Sequence, residues 1–154
     1  MKLKKYLQET SRYFLRSYPV IRPYVRKVEL LYKMTDRELH NYKEQRFVSI
    51  FHKAYDYSPF YHGLYTDAGL NKGDITCLED IIKLPVITKD MVRKHASEIM
   101  TKPRCCLLSG HTSGTTGTPL TVYESWPAIW WERAYGYYYQ RLCGFNEGQP
   151  QITL

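Results

Sequence analysis

Apolar positions keep a helical period up to about residue 100 and change to short runs flanked by breakers after Pro103. Near the start, Leu3, Leu7 and Phe14, with Tyr6 and Tyr13, recur at near-helical spacing until Pro19 and Pro23 interrupt the pattern. Between residues 35 and 57, Leu39, Phe47, Ile50, Phe51 and Ala54 can share one helical face, and Thr35 with Glu38 forms a capping box. This helix is expected to end before Ser58-Pro59, because the residue preceding a proline is pushed out of the helical region. FYHGLYTDAGL predicts a short helix closed near Gly69, with Asn71-Lys72-Gly73-Asp74 as a turn. Thr76 with Glu79 reads as a second capping box opening LEDII, and Thr88 as the cap of a further helix running to about Ile99.

After Pro103, CCLLS and LTVYE suit two strands joined by a tight loop. The stretch that follows has helix signals at both ends: Ser125 as N-cap, Pro127 in the first turn, Arg141 in the last and Gly144 just beyond. PQITL reads as the opening of another strand. The expected class is therefore α/β, locally α+β: N-terminal helices followed by the first strands of a larger mixed sheet. Residues 1–34 read as a basic helical segment, and residues 35–154 as the start of the main domain.

At 154 residues, with 44% hydrophobic and 24% charged positions, the chain is an ordinary globular sequence and not a disordered one. The net charge of +7 favours anionic partners. That charge is concentrated early: Lys2, Lys4, Lys5, Arg12, Arg16, Arg22, Arg26 and Lys27 stand against the single acid Glu9 within residues 1–28. Two readings of this segment stay open, a basic amphipathic helix making weak contact with an anionic membrane and a terminal helix with a solvated face. Gln8, Glu9 and Arg12 interrupt the start, so it lacks the apolar core of a signal peptide, and no apolar run approaches the roughly 20 residues needed to cross a bilayer. A cytoplasmic location is expected. Cys77, Cys105, Cys106 and Cys143 lack CxxC spacing, so no metal site is expected. The adjacent pair Cys105 and Cys106, placed on a strand, would point to opposite faces as free thiols. His40, His52, His62 and His95 have no mutual metal spacing, and Asp36, Glu38 and Glu44 read as helix-surface charges and not as an acid/base pair.

Residues 109–120, SGHTSGTTGTPL, hold three glycines and six hydroxyl side chains and no acid, lysine or arginine. Glycines without a Cβ let backbone amides approach a ligand closely, and successive amides with hydroxyls can converge on phosphate oxygens. The loop lacks the lysine of GxxxxGK[ST], and its glycine spacing is not GxGxxG. On physics alone, a phosphate site and a plain hairpin tip both remain open.

TSGTTGTP at 112–119 resembles the phosphate-binding signature of the adenylate-forming superfamily. SPFYHGLYTDAGL at 58–70 and LEDIIKLPVITKDMV at 78–92, in this order before the loop, resemble the phenylacetate–CoA ligase branch and the members grouped with capsular polysaccharide biosynthesis proteins. The resemblance runs from about residue 35 to the end. It implies activation of a small-molecule carboxylate by Mg·ATP to an acyl-adenylate, followed by transfer to coenzyme A. ATP, Mg2+ and coenzyme A would be the cofactors, and Thr112, Ser113, Gly114, Thr115, Thr116, Gly117 and Thr118 would hold the β- and γ-phosphates. Many superfamily members carry a lysine after the loop's proline; this chain has Leu120, and the phenylacetate branch often lacks that lysine too. The family's adenine-binding aromatic, ribose-binding aspartate and C-terminal lysine have no counterpart here. The expectation is therefore the N-terminal portion of such a ligase, an incomplete domain with no catalytic residue of its own, inactive alone and prone to self-association.

The helix SWPAIWWERAYGYYYQRLCG raises a different function. Trp126, Trp130, Trp131, Tyr135, Tyr138 and Tyr139 could stack on bases while Arg133 and Arg141 meet phosphates, or the same aromatics could be core. No specific nucleic-acid partner is expected. His111, abutting the loop, could donate to a phosphate or simply line it, and Glu124 could orient a loop hydroxyl or stay at the surface. The alternative to the ligase reading is a non-enzymatic basic module that binds an anionic membrane or nucleic acid through its N-terminal third.

Overall fold

Helix α1 spans Tyr18–Leu31 and contains both Pro19 and Pro23, the residues expected to break it. The computed structural model describes residues 14–15, 17–112 and 120–145. Residues 1–13 of the basic segment and the PQITL run lie outside them. Pro19 falls in the first turn, where its missing amide would have no intrahelical partner. Pro23 lies further in, where a proline costs about 3 kcal/mol. Burial outweighs this: Ile21, Val25, Val28 and Leu31 are all buried, at roughly 1.5–3 kcal/mol each.

The surface that buries most of them is the last helix, here α5, Trp126–Leu142. Ala134 completes the cluster with Ile21, Val25 and Val28, and aromatic rings flank it. Tyr24 meets Trp130 and Trp131 at centroid distances of 5.6 and 5.5 Å, and Tyr18 meets Tyr137 at 4.6 Å. The Trp130 indole donates to the Leu15 carbonyl at 2.8 Å, and Arg141 pairs with Glu29 at 3.0 Å. One side of the aromatic helix is thus core, while Tyr135, Tyr139 and Leu142 remain exposed. Gly144, at φ 86°, closes α5: its amide bonds Arg141 O and that of Phe145 bonds Gln140 O, the paired bonds of a Schellman cap.

These helices form one compact unit, and residues Thr35–Ser125 form a second. In the second, α2 (Asp36–Tyr57) opens with the expected capping box, Glu38 Oε2 accepting from the Thr35 amide at 2.8 Å. Phe51 and Ala54 are buried, as expected of the apolar face, but Ile50 is 60% exposed. Ser58 ends α2 and caps α3 (Pro59–Asp67), and Gly69 at φ 74° closes α3 as the sequence suggests. Phe51, Ala54, Tyr65 and Ile75 make the core, with Phe47, Leu70 and Leu84 packed on it.

The connections depart from expectation in three places. The capping box after Ile75 is built by Asp80 and not Glu79: Asp80 Oδ2 accepts from the Thr76 and Cys77 amides at 2.8 and 3.1 Å, and Leu78–Lys83 is a 3-10 helix. Helix α4 starts after the Thr88 cap but covers only Lys89–Lys94, because His95 leaves helical geometry and the chain turns. The first strand begins at Leu108, since Arg104–Cys106 form a 3-10 turn. Strands β1 (Leu108–His111) and β2 (Thr121–Glu124) pair antiparallel as a two-stranded sheet, so helices plus a small sheet give an α+β architecture.

Two outcomes follow for unfolding in urea. Phe51→Ala should cost roughly 3–5 kcal/mol, whereas Ile50→Ala should stay within about 0.5 kcal/mol. An equal cost at both positions would contradict the face described. The Lys83 ammonium and the Thr76 and Cys77 amides hold the Asp80 carboxyl well below the usual carboxylate range. Its contribution is therefore complete above the unfolded value near pH ~4 and is lost as pH falls through the lower folded value. Asp80→Asn should lower the urea midpoint at neutral pH, and the gap to the parent should narrow in acid. A gap that persists unchanged in acid would refute the assignment.

Candidate functional site

The hydroxyl-rich run begins where the hairpin ladder ends. Leu108 pairs with Glu124, Ser109 with Tyr123, Gly110 with Val122 and His111 with Thr121. One step further, the Thr112 amide donates to the Leu120 carbonyl at 3.0 Å. The return bond differs: the Leu120 amide donates to the Thr112 hydroxyl oxygen at 3.1 Å. Thr112 thus closes the stem with its side chain. Its hydroxyl hydrogen is donated to no protein group among the described residues. Ser113, Gly114, Thr115, Thr116, Gly117 and Thr118 lie outside the described residues.

Arg104 braces the base of the stem. Arg104 stacks over the Tyr123 ring, 4.5 Å from its centre, and donates to the Leu107 carbonyl at 3.1 Å. A cavity of about 260 Å³ lies against the hairpin, lined by Val92, Ile99, Met100, Leu107 and Val122 among others. His111 is exposed, with Nδ1 3.3 Å from the Thr121 hydroxyl, a cross-strand pair beside the loop. Glu124 is not brought to the loop end of the stem. The register puts it opposite Leu108, at the far end of the hairpin from Thr112.

The histidines serve local structure. His62 Nδ1 lies 3.0 Å from the Tyr55 carbonyl, and His95 Nδ1 lies 3.0 Å from Glu98 Oε2. No group of three metal-ligating side chains exists among the described residues, and none of their helices is long and apolar enough to cross a membrane. One feature escaped sequence reasoning: a cavity of about 520 Å³ lined by Phe47, Phe51, Tyr61, Tyr65 and Leu84, with Lys53 also on its wall. Burial pushes the Tyr61 and Tyr65 phenols up. The excess of apolar positions on α2 was its only sequence signal, because Ile50 lines the cavity and not the core.

Over 117 residues the chain is 28% identical to Protein CapK of Staphylococcus aureus, covering 76% of this chain and 26% of that protein. Over 71 residues it is 35% identical to Phenylacetate-coenzyme A ligase of Pseudomonas putida, covering 45% of this chain and 16% of that protein. The chain therefore spans about a quarter or less of the curated relatives it matches. No protein-family model matches it. The homology is partial, and it is shared by both proteins.

Thr112→Val should leave the backbone bond to Leu120 in place but orphan the Leu120 amide. With about 1 kcal/mol lost, hydrogen exchange at Leu120 should accelerate roughly fivefold. Unchanged exchange there would mean that the hydroxyl does not close the stem.

Proposed function

We propose that this chain carries the phosphate-binding portion of an adenylate-forming enzyme like the phenylacetate–CoA ligases, with residues 112–118 holding nucleotide phosphates. The observation that carries the reading is the stem. It closes on Thr112, the first residue of the run, whose hydroxyl hydrogen is donated to no protein group among the described residues. Partial homology to a phenylacetate–CoA ligase supports the same reading. The donor set fits an anion, since the run offers hydroxyls and amides and no carboxylate that would repel phosphate.

In this reading ATP supplies the adenylyl group that activates a small-molecule carboxylate, and this chain's residues bind and orient the phosphates. No catalytic residue is assigned, and none is assigned to magnesium or coenzyme A. A cytoplasmic location and an association with capsular polysaccharide synthesis belong to the same proposal. Ile82 and Val86, 88% and 87% exposed, support a chain that meets further protein and self-associates without it.

The alternative, a basic module docking on an anionic membrane or nucleic acid, has less support. Several of the aromatics that could have stacked on bases are packed against α1, while the apolar positions Leu3, Tyr6, Leu7 and Tyr13 of the membrane reading lie outside the described residues.

Titration with ATP or pyrophosphate, followed by amide shifts, tests the proposal. Hydrogen bonds to a charged phosphate contribute about 1.5–3 kcal/mol each, and immobilising ligand and loop offsets much of that, so a Kd on the order of millimolar is expected. Shifts should cluster at residues 112–118 and vanish when Gly114 and Gly117 are both replaced by valine. Shifts among Lys2–Lys27 that survive those replacements would overturn the reading in favour of the basic module.

A further inference from the structure

Cys105 and Cys106 do not sit on a strand, where their side chains would diverge. They lie on the 3-10 turn Arg104–Cys106, and the turn brings their sulfur atoms to 3.9 Å. The Cys106 amide bonds the Pro103 carbonyl at 2.9 Å and the Leu107 amide bonds Arg104 O at 3.2 Å, so the turn itself is fixed by backbone bonds. Both thiols are free and exposed, which leaves them open to small reagents in solution. Neither Cys77 nor Cys143 has a thiol contact of this kind among the described residues.

We propose that Cys105 and Cys106 form a redox-modifiable dithiol that closes a reversible disulfide when a peroxide reaches it. The step balances as follows. One thiol, as its thiolate, attacks hydrogen peroxide; an S–O bond forms as the O–O bond breaks, and the departing hydroxide takes up that thiol's proton and leaves as water. The neighbouring thiol, as its thiolate, then attacks the sulfenic sulfur; the S–S bond forms, the S–O bond breaks, and the second hydroxide takes up the second thiol's proton and leaves as water. Two thiols are oxidised by two electrons and the peroxide is reduced to water. Either sulfur can be the donor in the 3.9 Å contact, so either thiol can meet the oxidant first while the other resolves it.

Reversibility follows from the spacing. Adjacent Cα atoms across a trans peptide are about 3.8 Å apart, whereas ordinary disulfides span roughly 4.4–6.8 Å. The closed form is strained, and strained, exposed disulfides are the ones readily reopened by thiols. It would sit immediately before Leu107 and β1, at the base of the hydroxyl loop's stem.

The sequence makes the test direct. Trypsin releases Cys105–Arg133 as one peptide containing both thiols and no other cysteine. The full chain treated with hydrogen peroxide should yield this peptide lighter by two hydrogens, and reduced glutathione should restore them. Cys105→Ser and Cys106→Ser should each abolish the loss, while the double variant Cys77→Ser/Cys143→Ser should retain it. Sulfinic or sulfonic acid on this peptide in place of the loss would overturn the proposal, as would a link from either thiol to Cys77, Cys143 or a second chain.

Discussion

The larger unit, Thr35–Ser125, is organised around the hydroxyl of Ser58. That side chain is 1% exposed and uses both of its capacities: it accepts from the Tyr61 amide at 3.3 Å and donates to the Glu98 carbonyl at 2.8 Å. Its own amide meanwhile ends α2 by bonding Ala54 O at 3.1 Å. One residue therefore terminates a long helix, starts the next and binds a segment that lies 40 positions further on. The Phe60 amide reinforces the link, donating to the same Glu98 carbonyl at 3.2 Å. A buried hydroxyl is costly unless paired, so the elbow between α2 and α3 and the turn after α4 fix each other. Ile99 and Met100, which follow Glu98, line the cavity against the hairpin.

What the sequence disclosed, and what it hid, divides by range. Thr35 with Glu38, Gly69 and Gly144 act through residues three to five positions away, and each does in the structure what local chemistry asks of it. Asp80 taking the place of Glu79 is a failure at the same short range. A 3-10 helix has a different spacing from an α-helix, and the residues TCLED hold two acids that satisfy the pattern almost equally. The continuation of helix α1 through Pro19 and Pro23 was hidden for the opposite reason. Its prolines argue against it locally, and the partner that stabilises it is α5, where the Trp130 indole bonds a carbonyl 115 residues away. Tertiary burial overrides propensity there, and a one-dimensional pattern cannot register it.

The candidate site was legible as composition before it was legible as geometry. Three glycines and six hydroxyls without an acid, lysine or arginine marked the loop as a candidate, and the paired runs on either side marked a hairpin. The hydroxyl of Thr112 replacing its own carbonyl as the acceptor for Leu120 was not visible, because it is a choice between two oxygens of one residue. The displacement of CCLLS was likewise hidden. An apolar run after a proline suits a strand and a turn equally, and backbone bonds to Pro103 and Arg104 decide for the turn. That decision changes the chemistry as well as the shape, since a strand would have separated the two thiols and the turn brings them together.

The chain keeps its charge and its neutral donors apart. Its described basic residues on α1, Arg22, Arg26 and Lys27, are exposed on a helix whose apolar side is packed, and Arg104 spends its guanidinium on Tyr123 and Leu107 O at the hairpin's base. No lysine or arginine falls within residues 109–120. A phosphate met there would be held through directed hydrogen bonds and not through a point charge. Such bonds weaken steeply with distance and angle, whereas Coulomb attraction does not depend on direction. Recognition of this kind depends on the geometry of the stem, whose base is braced by the stacking of Arg104 on Tyr123.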